Sequence, residues 1–122
     1  MAKPTFAYLL LKEHPYGREM LRQILSEGFV PVIIISEVSD IADEEREKFL
    51  KRIEGHDIAP TVKEQIEHLD IIHEEVSIHN SEFVMPLIKD FELDLIVSLY
   101  ETCGAPIFAS TLNSLNILST RI

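Results

Sequence analysis

Leu93-Asp94-Leu95-Ile96-Val97-Ser98-Leu99-Tyr100, followed after a turn segment by Leu115-Asn116-Ile117-Leu118-Ser119, is the stretch on which the fold turns. Both runs have the length and apolar character of buried strands. The first is entered from a helical pattern whose inward residues are Phe83, Val84, Leu87, Ile88 and Phe91. Asn80 and Ser81 can cap that helix. Pro86 lies inside the pattern, so its first turn is expected to be irregular or the helix to start late. No Asn-Gly or Asp-Gly hairpin signal joins any pair of runs, so the strands are expected to be parallel, each reached through a crossover.

The same alternation extends back to the start. Thr5 to Leu11 is continuous and apolar, a strand buried on both faces. Pro15 suits the first turn of a helix because its missing N–H would be unpaired there anyway. Tyr16, Met20, Leu21, Ile24 and Leu25 recur at helical spacing, and Gly28 ends the helix. Phe29 to Ser36 reads as the second strand, rich in β-branched residues. Ser39 and Asp40 are N-cap residues for a charged helix over Asp43 to Lys51, which Gly55 stops. A shorter helix follows over Pro60 to Leu69, with Val62, Ile66 and Leu69 inward. Ile71 to Ile78 reads as a third strand whose imperfect alternation suits an edge. Pro106 to Leu112 reads as a short helical turn, and Leu115 to Ser119 as strand five. Strands alternating with helices give an α/β fold. The expectation is a doubly wound, five-stranded parallel sheet in the order 3-2-1-4-5, with its switch point between strands one and four.

Composition bounds the function classes. The chain has 122 residues and a formal net charge of -10, the size of one domain, 1–122, which buries roughly two-thirds of its unfolded surface without a disulfide or metal. Between Glu37 and Glu75 thirteen acidic residues face five basic ones, read as a solvated helical surface or, alternatively, a docking face for a basic partner. Phosphate contacts need a basic face, which disfavours nucleic acid. The longest apolar run, Phe29 to Ile35 with Pro31 inside it, is too short to span a bilayer. No small-residue cleavage site follows the apolar start, and the single Cys103 suits a reducing compartment; the expected location is the cytoplasm.

In open α/β sheets ligands bind beyond the carboxyl ends of the strands at the switch point. That crevice is expected between Lys12 to Gly17, Tyr100 to Gly104 and the end of strand five. Lys12-Glu13-His14-Pro15-Tyr16-Gly17 lacks the glycines with which a backbone approaches a pyrophosphate, and there is no P-loop. The acidic pair and lysine of a phosphoacceptor receiver are also missing. His73, Glu75, Ser77 and His79 share one face of strand three. A structural zinc wants four fixed ligands, so solvent-facing polar residues are the expectation and no metal is assigned. Cys103 would need a base; His14, across the crevice, is the candidate, and an idle thiol is the simpler reading.

Pro15-Tyr16-Gly17-Arg18-Glu19-Met20-Leu21, Glu27-Gly28-Phe29-Val30-Pro31-Val32, Ala59-Pro60-Thr61-Val62, Phe91-Glu92-Leu93-Asp94-Leu95-Ile96-Val97 and Gly104-Ala105-Pro106-Ile107 before Leu115-Asn116-Ile117 resemble, in order and spacing, the N-terminal domain of folate-dependent formyltransferases. The methionyl-tRNA and glycinamide ribonucleotide enzymes represent that family. The resemblance implies formyl transfer from 10-formyltetrahydrofolate to an amine. An Asn and a protonated His stabilise the oxyanion, and an Asp tunes the His. Asn116 matches the Asn. Leu118 stands where the family has His, Ser119 where it has Pro, and no residue matches the Asp. Losing one such donor commonly costs about 10²–10³ in rate.

The resemblance therefore implies an incomplete catalytic set, with Asn116 the one catalytic match. Tyr100, Glu101, Thr102, Cys103 and Gly104 align with the folate loop, and His14, Tyr16 and Gly17 line the substrate side. The expected role is binding a small ligand, a folate among the candidates, or a protein partner. The alternatives are the N-terminal part of a larger or split formyltransferase and a flavodoxin-like interaction module. Strand five ends the sequence with no helix after it. Its edge and Ile117 are therefore expected to be covered in a symmetric homodimer.

Overall fold

A computed structural model describes residues 3–78, 81–98 and 118–121. Its elements are β1 (Phe6–Leu11), α1 (Pro15–Ser26), β2 (Ile33–Glu37), α2 (Asp40–Arg52), α3 (Val62–Ile66), β3 (Ile72–Val76), α4 (Ser81–Ile88), β4 (Leu95–Ser98) and β5 (Leu118–Arg121). β1 pairs in parallel with β2 on one side and with β4 on the other. β2 pairs in parallel with β3. The core of the sheet is thus 3-2-1-4, parallel throughout, as the alternation of runs predicts. Leu118–Arg121 lies parallel to β4, with Leu118 opposite Leu95 and Arg121 opposite Ser98. The sequence places this strand over Leu115 to Ser119; the paired segment begins at Leu118. Asn116, Ile117 and the expected turn over Pro106 to Leu112 lie outside the described residues.

Side chains of neighbouring strand residues point to opposite faces, and each face has its own core. On one face Ala7, Leu9, Ile33, Ile35 and Ile96 pack with Val84 and Ile88 of α4. On the other, Phe6, Tyr8, Leu10, Ile34 and Val97 pack with Leu21 of α1 and with Val62 and Ile66 of α3. Connections moving one way across the sheet use one face, and the return from β3 to β4 uses the other. Direction therefore reverses at β1, whose neighbours are β2 and β4. This is the switch point.

Local signals set the helix ends. Ser39 caps α2 by accepting from the Ala42 amide, 3.0 Å away. Thr61 and Glu64 form a reciprocal capping box on α3. α3 closes at Ile66, and Leu69 is exposed, so the helix is shorter than the pattern predicts. α4 starts at Ser81 and continues through Pro86, so of the two alternatives expected there, an irregular first turn or a late start, the late start is not met. The N–H that Pro86 lacks would have bonded the carbonyl of exposed Glu82, where solvent reaches it. β2 begins at Ile33, later than expected. Phe29 and Val30 stay exposed because they belong to the exit of α1.

That exit is a Schellman turn. The Gly28 amide donates to the Leu25 carbonyl at 3.0 Å, and the Phe29 amide to the Ile24 carbonyl at 3.1 Å. Gly28 has φ +85°, and a Cβ there would lie 2.7 Å from Lys3 Nζ, which itself donates to the Gly28 carbonyl. Gly28→Ala is expected to destabilise the fold by about 1–2 kcal/mol, the cost of holding an L-residue in the left-handed region. Urea denaturation reads this as a lower midpoint with an unchanged slope.

Candidate functional site

The turn after β1 is the best-defined part of the switch point. Lys12 continues the sheet, donating its amide to the Glu37 carbonyl at 3.0 Å. Glu13 then takes φ +50°, the left-handed conformation in which non-glycine residues are uncommon. Three contacts hold it. The Val62 amide donates to Glu13 Oε1 at 2.8 Å, Arg18 Nε donates to the Glu13 carbonyl at 2.9 Å, and Arg18 Nε lies 3.5 Å from Glu13 Oε1. One carboxylate thereby joins the β1–α1 turn to the first residue of α3. Arg46 reaches in from α2, donating to the Lys12 carbonyl at 3.2 Å.

His14 follows and is buried, with 1% of its surface exposed. Its backbone is extended and it caps α1. The Tyr16 amide donates to Nδ1 at 3.2 Å, so the neutral ring carries its proton on Nε2. The ring packs against Phe49 of α2, with centroids 4.8 Å apart. Burial pushes the imidazole below its ordinary value of 6.5. Glu45 opposes this, and Arg18 and Arg46 add to it. At neutral pH His14 is therefore uncharged: it can donate or accept a hydrogen bond but supplies no cation.

Tyr16 and Gly17 complete the trio expected on the substrate side, and the turn brings all three together. Tyr16 is not an inward residue of α1; it is 37% exposed and leans toward Phe49 at 6.4 Å between centroids. Gly17 is buried, and its carbonyl accepts from the Tyr8 hydroxyl at 2.9 Å. Burial raises that phenol well above its ordinary range, with Tyr16 a smaller cause, so Tyr8 remains a neutral donor. Pro15, Tyr16, Phe49, Ile53 and Ile58 border a shallow recess of about 180 Å³. A more apolar concavity of about 270 Å³ lies elsewhere, between α1 and β4 against Pro4, Phe6, Ile24, Phe29, Leu95 and Val97. Among the described residues that line it, none carries a polar side chain to orient a ligand.

Several residues here were not singled out by motif. Glu37 ends β2 and is 1% exposed; its Oε2 accepts from the Ser39 hydroxyl at 3.0 Å. Ser98, at the carboxyl end of β4 opposite Leu9, is also buried. Two polar side chains at the ends of apolar strands, beside a turn, are the signal that could have found them. Tyr100, Glu101, Thr102, Cys103, Gly104 and Asn116 lie outside the described residues, so the expected loop, catalytic Asn and His14–Cys103 pairing are not part of this geometry.

The face of β3 considered for a metal has protein partners instead. His73 Nε2 lies 2.9 Å from the Ser36 hydroxyl, and Glu75 pairs with Lys12 at 2.9 Å. Among the described residues no three His, Cys, Asp or Glu side chains are grouped to hold an ion. Among the same residues no helix is long and apolar enough to cross a membrane. No family model, no curated protein and no solved structure matches the chain.

The buried His14 has a consequence for stability. Its folded pKa lies below the unfolded one, so below pH 6.5 the unfolded chain binds more protons at this site. Its effect on stability is absent above that pH, grows as a penalty as pH falls from there toward the folded value, and levels off below it. His14→Asn keeps a capping oxygen and removes the titration. Denaturation of both proteins between about pH 7.5 and 5 is expected to show a smaller loss for the variant on the acid side; parallel curves would show that His14 is not held neutral.

Proposed function

We propose that this chain is a formyltransferase-like domain with an incomplete catalytic set, which binds a small ligand at the carboxyl ends of β1 and β4. A folate is the first candidate. The observation carrying the proposal is the reversal of sheet direction at β1, with a turn there held in an uncommon conformation by Glu13, Arg18 and Val62. Backbone held this way is found where a site must be preorganised. The resemblance of the sequence to folate-dependent formyltransferases supplies the ligand class.

The roles follow from chemistry. Tyr16 and Phe49 offer aromatic surface, on which the ring system of a folate stacks. The turn from Lys12 to Gly17 supplies one wall, and Tyr100 to Gly104 the other. Asn116 orients a carbonyl. Catalysis is not expected. Leu118 carries no imidazole where the family has its His. Formyl transfer needs an attacking amine to lose a proton as the oxyanion forms, and an amide side chain cannot manage both. Self-association as a homodimer across the β5 edge belongs to the same reading; sedimentation as a monomer at high concentration would remove it.

Two measurements test the proposal. In a formyl-transfer assay with 10-formyltetrahydrofolate and amine acceptors, turnover is expected at background; clear turnover would show a complete enzyme. Calorimetry with the same folate is expected to give heat that Asn116→Ala weakens by about tenfold, the scale of one lost hydrogen bond to a ligand. No heat from either protein removes the folate and leaves a partner-binding or structural role.

A further inference from the structure

β3 is the outer strand of the sheet on the side away from β4, and among the described residues it pairs with β2 alone. The ladder fixes which of its backbone groups are used. The Ile72 amide donates to the Val32 carbonyl at 3.3 Å, and the Val76 carbonyl accepts from the Val38 amide at 2.7 Å. In a parallel pair the residues facing a given neighbour alternate. Ile72, Glu74 and Val76 therefore address β2, and the N–H and C=O groups of His73 and Glu75 point outward. Among the described residues no backbone group meets them. Such an edge is a template for one more strand.

The two sides of the edge differ. His73 and Glu75 are in register with Ile34 and Ser36, which puts their side chains on the α1–α3 face. There α3 stands beside the edge, leaving an open recess lined by Lys63, Glu64, Ile66, Glu67 and His73. Buried Ile66 forms its floor, and exposed Glu64 and Glu67 stand at its rim with Lys63. Glu74, Glu75 and Asp70 are exposed along the strand or just before it. Ile72, in register with Ile33 and so on the α4 face, is 47% exposed. The edge thus presents Glu75 and an aliphatic-floored recess rimmed by Glu64 and Glu67 on one face, and exposed Ile72 beside Glu74, in register with Ile35, on the other.

We propose that the β3 edge binds an extended basic segment of another protein by strand addition, one whose residues alternate between cationic and aliphatic side chains. Its backbone completes the bonds of His73 and Glu75. On the α3 face a Lys or Arg lays its methylenes on Ile66 and its charge beside Glu67. On the α4 face an aliphatic residue covers Ile72. Charge selects against a second copy of this chain, whose own edge would bring Glu74 and Glu75 against the same carboxylates. This surface touches the turn after β1 through the Glu75–Lys12 pair, but the inference does not depend on what binds at that turn.

The test uses a labelled synthetic peptide alternating lysine and valine, with a glutamate-for-lysine peptide as control, read by fluorescence anisotropy on the full chain. The lysine peptide is expected to bind and the glutamate peptide not. Glu75→Pro removes one outward N–H and leaves the β2 ladder intact, since edge strands accept proline at outward positions. It is expected to weaken binding at least about tenfold, while Glu75→Ala, which loses only the carboxylate, stays within about threefold. Glu67→Lys is expected to weaken binding and flatten its salt dependence. Hydrogen exchange on the unsubstituted chain reads the same contact without relying on a variant: the His73 and Glu75 amides gain protection when peptide saturates the protein. Absence of binding overturns the proposal. So do equal affinities for Glu75→Pro and Glu75→Ala, or unprotected amides, either of which reduces the effect to diffuse charge attraction. A Glu75→Pro protein that sediments as a monomer where the parent is a dimer also overturns it, and assigns the edge to a second copy.

Discussion

Complete burial of β1 is the constraint from which the rest of the architecture follows. All six residues from Phe6 to Leu11 are at most 3% exposed. A strand can be dry on both faces only if helices cover both and strands flank both edges. Each large side chain buried here contributes about 1.5–3 kcal/mol, enough that no arrangement leaving β1 at an edge competes. With β1 central, β2 and β4 lie beside it. The chain must then leave to opposite sides of one strand, and the switch point lies at its carboxyl end.

The turn at that end shows how the position is made rigid. His14 leaves the sheet, caps α1 through Nδ1 and fills the space beside Phe49. Glu13 takes the strained conformation so that His14 can turn inward. Its carboxylate accepts the Val62 amide, one of the N–H groups left unpaired at the start of α3. A single side chain therefore serves two elements far apart in sequence. Arg18 closes the turn from α1, and Arg46 does so from α2. These are buried or half-buried contacts, unlike Glu19–Arg22 and Glu45–Lys48, which are exposed along helices where solvent screens them and they contribute little. Stability and site geometry in this region are the same set of interactions.

Much of the fold was legible because the strongest signals are periodic. The run at Phe6–Leu11 is apolar without interruption, that at Leu93–Tyr100 is broken only by Asp94 and Ser98, and the helix that starts at Pro15 and stops before Gly28 has both its start and its stop written in residue type. What was not legible depends on tertiary partners. Phe29 and Val30 have strand propensity, but the Schellman turn uses the Phe29 amide, so β2 starts only at Ile33. Tyr16 has helical spacing with the core residues, yet the aromatic edge of α2 draws it outward. In sequence His14 is legible as a crevice residue but not as a helix cap, because capping by an imidazole is not one of the preferred patterns. Glu37 stands out in sequence as a polar residue closing an apolar strand, but its burial is not legible there, because a terminal carboxylate normally marks the way out to solvent. His73 and Glu75 were placed correctly on one face of an edge strand. Their partners, Ser36 and Lys12, come from β2 and from the turn after β1, which periodicity does not reveal.

The central claim is that the turn from Lys12 to Gly17 forms one wall of a small-ligand site at the switch point. Backbone amide NMR during titration with a folate tests it most directly, because each residue reports separately. The account predicts shifts concentrated at Lys12, Glu13, His14, Tyr16, Gly17 and Ser98, with the amides of β3 unmoved. Shifts confined to β3, to the apolar concavity between α1 and β4, or to no residue at all would contradict it.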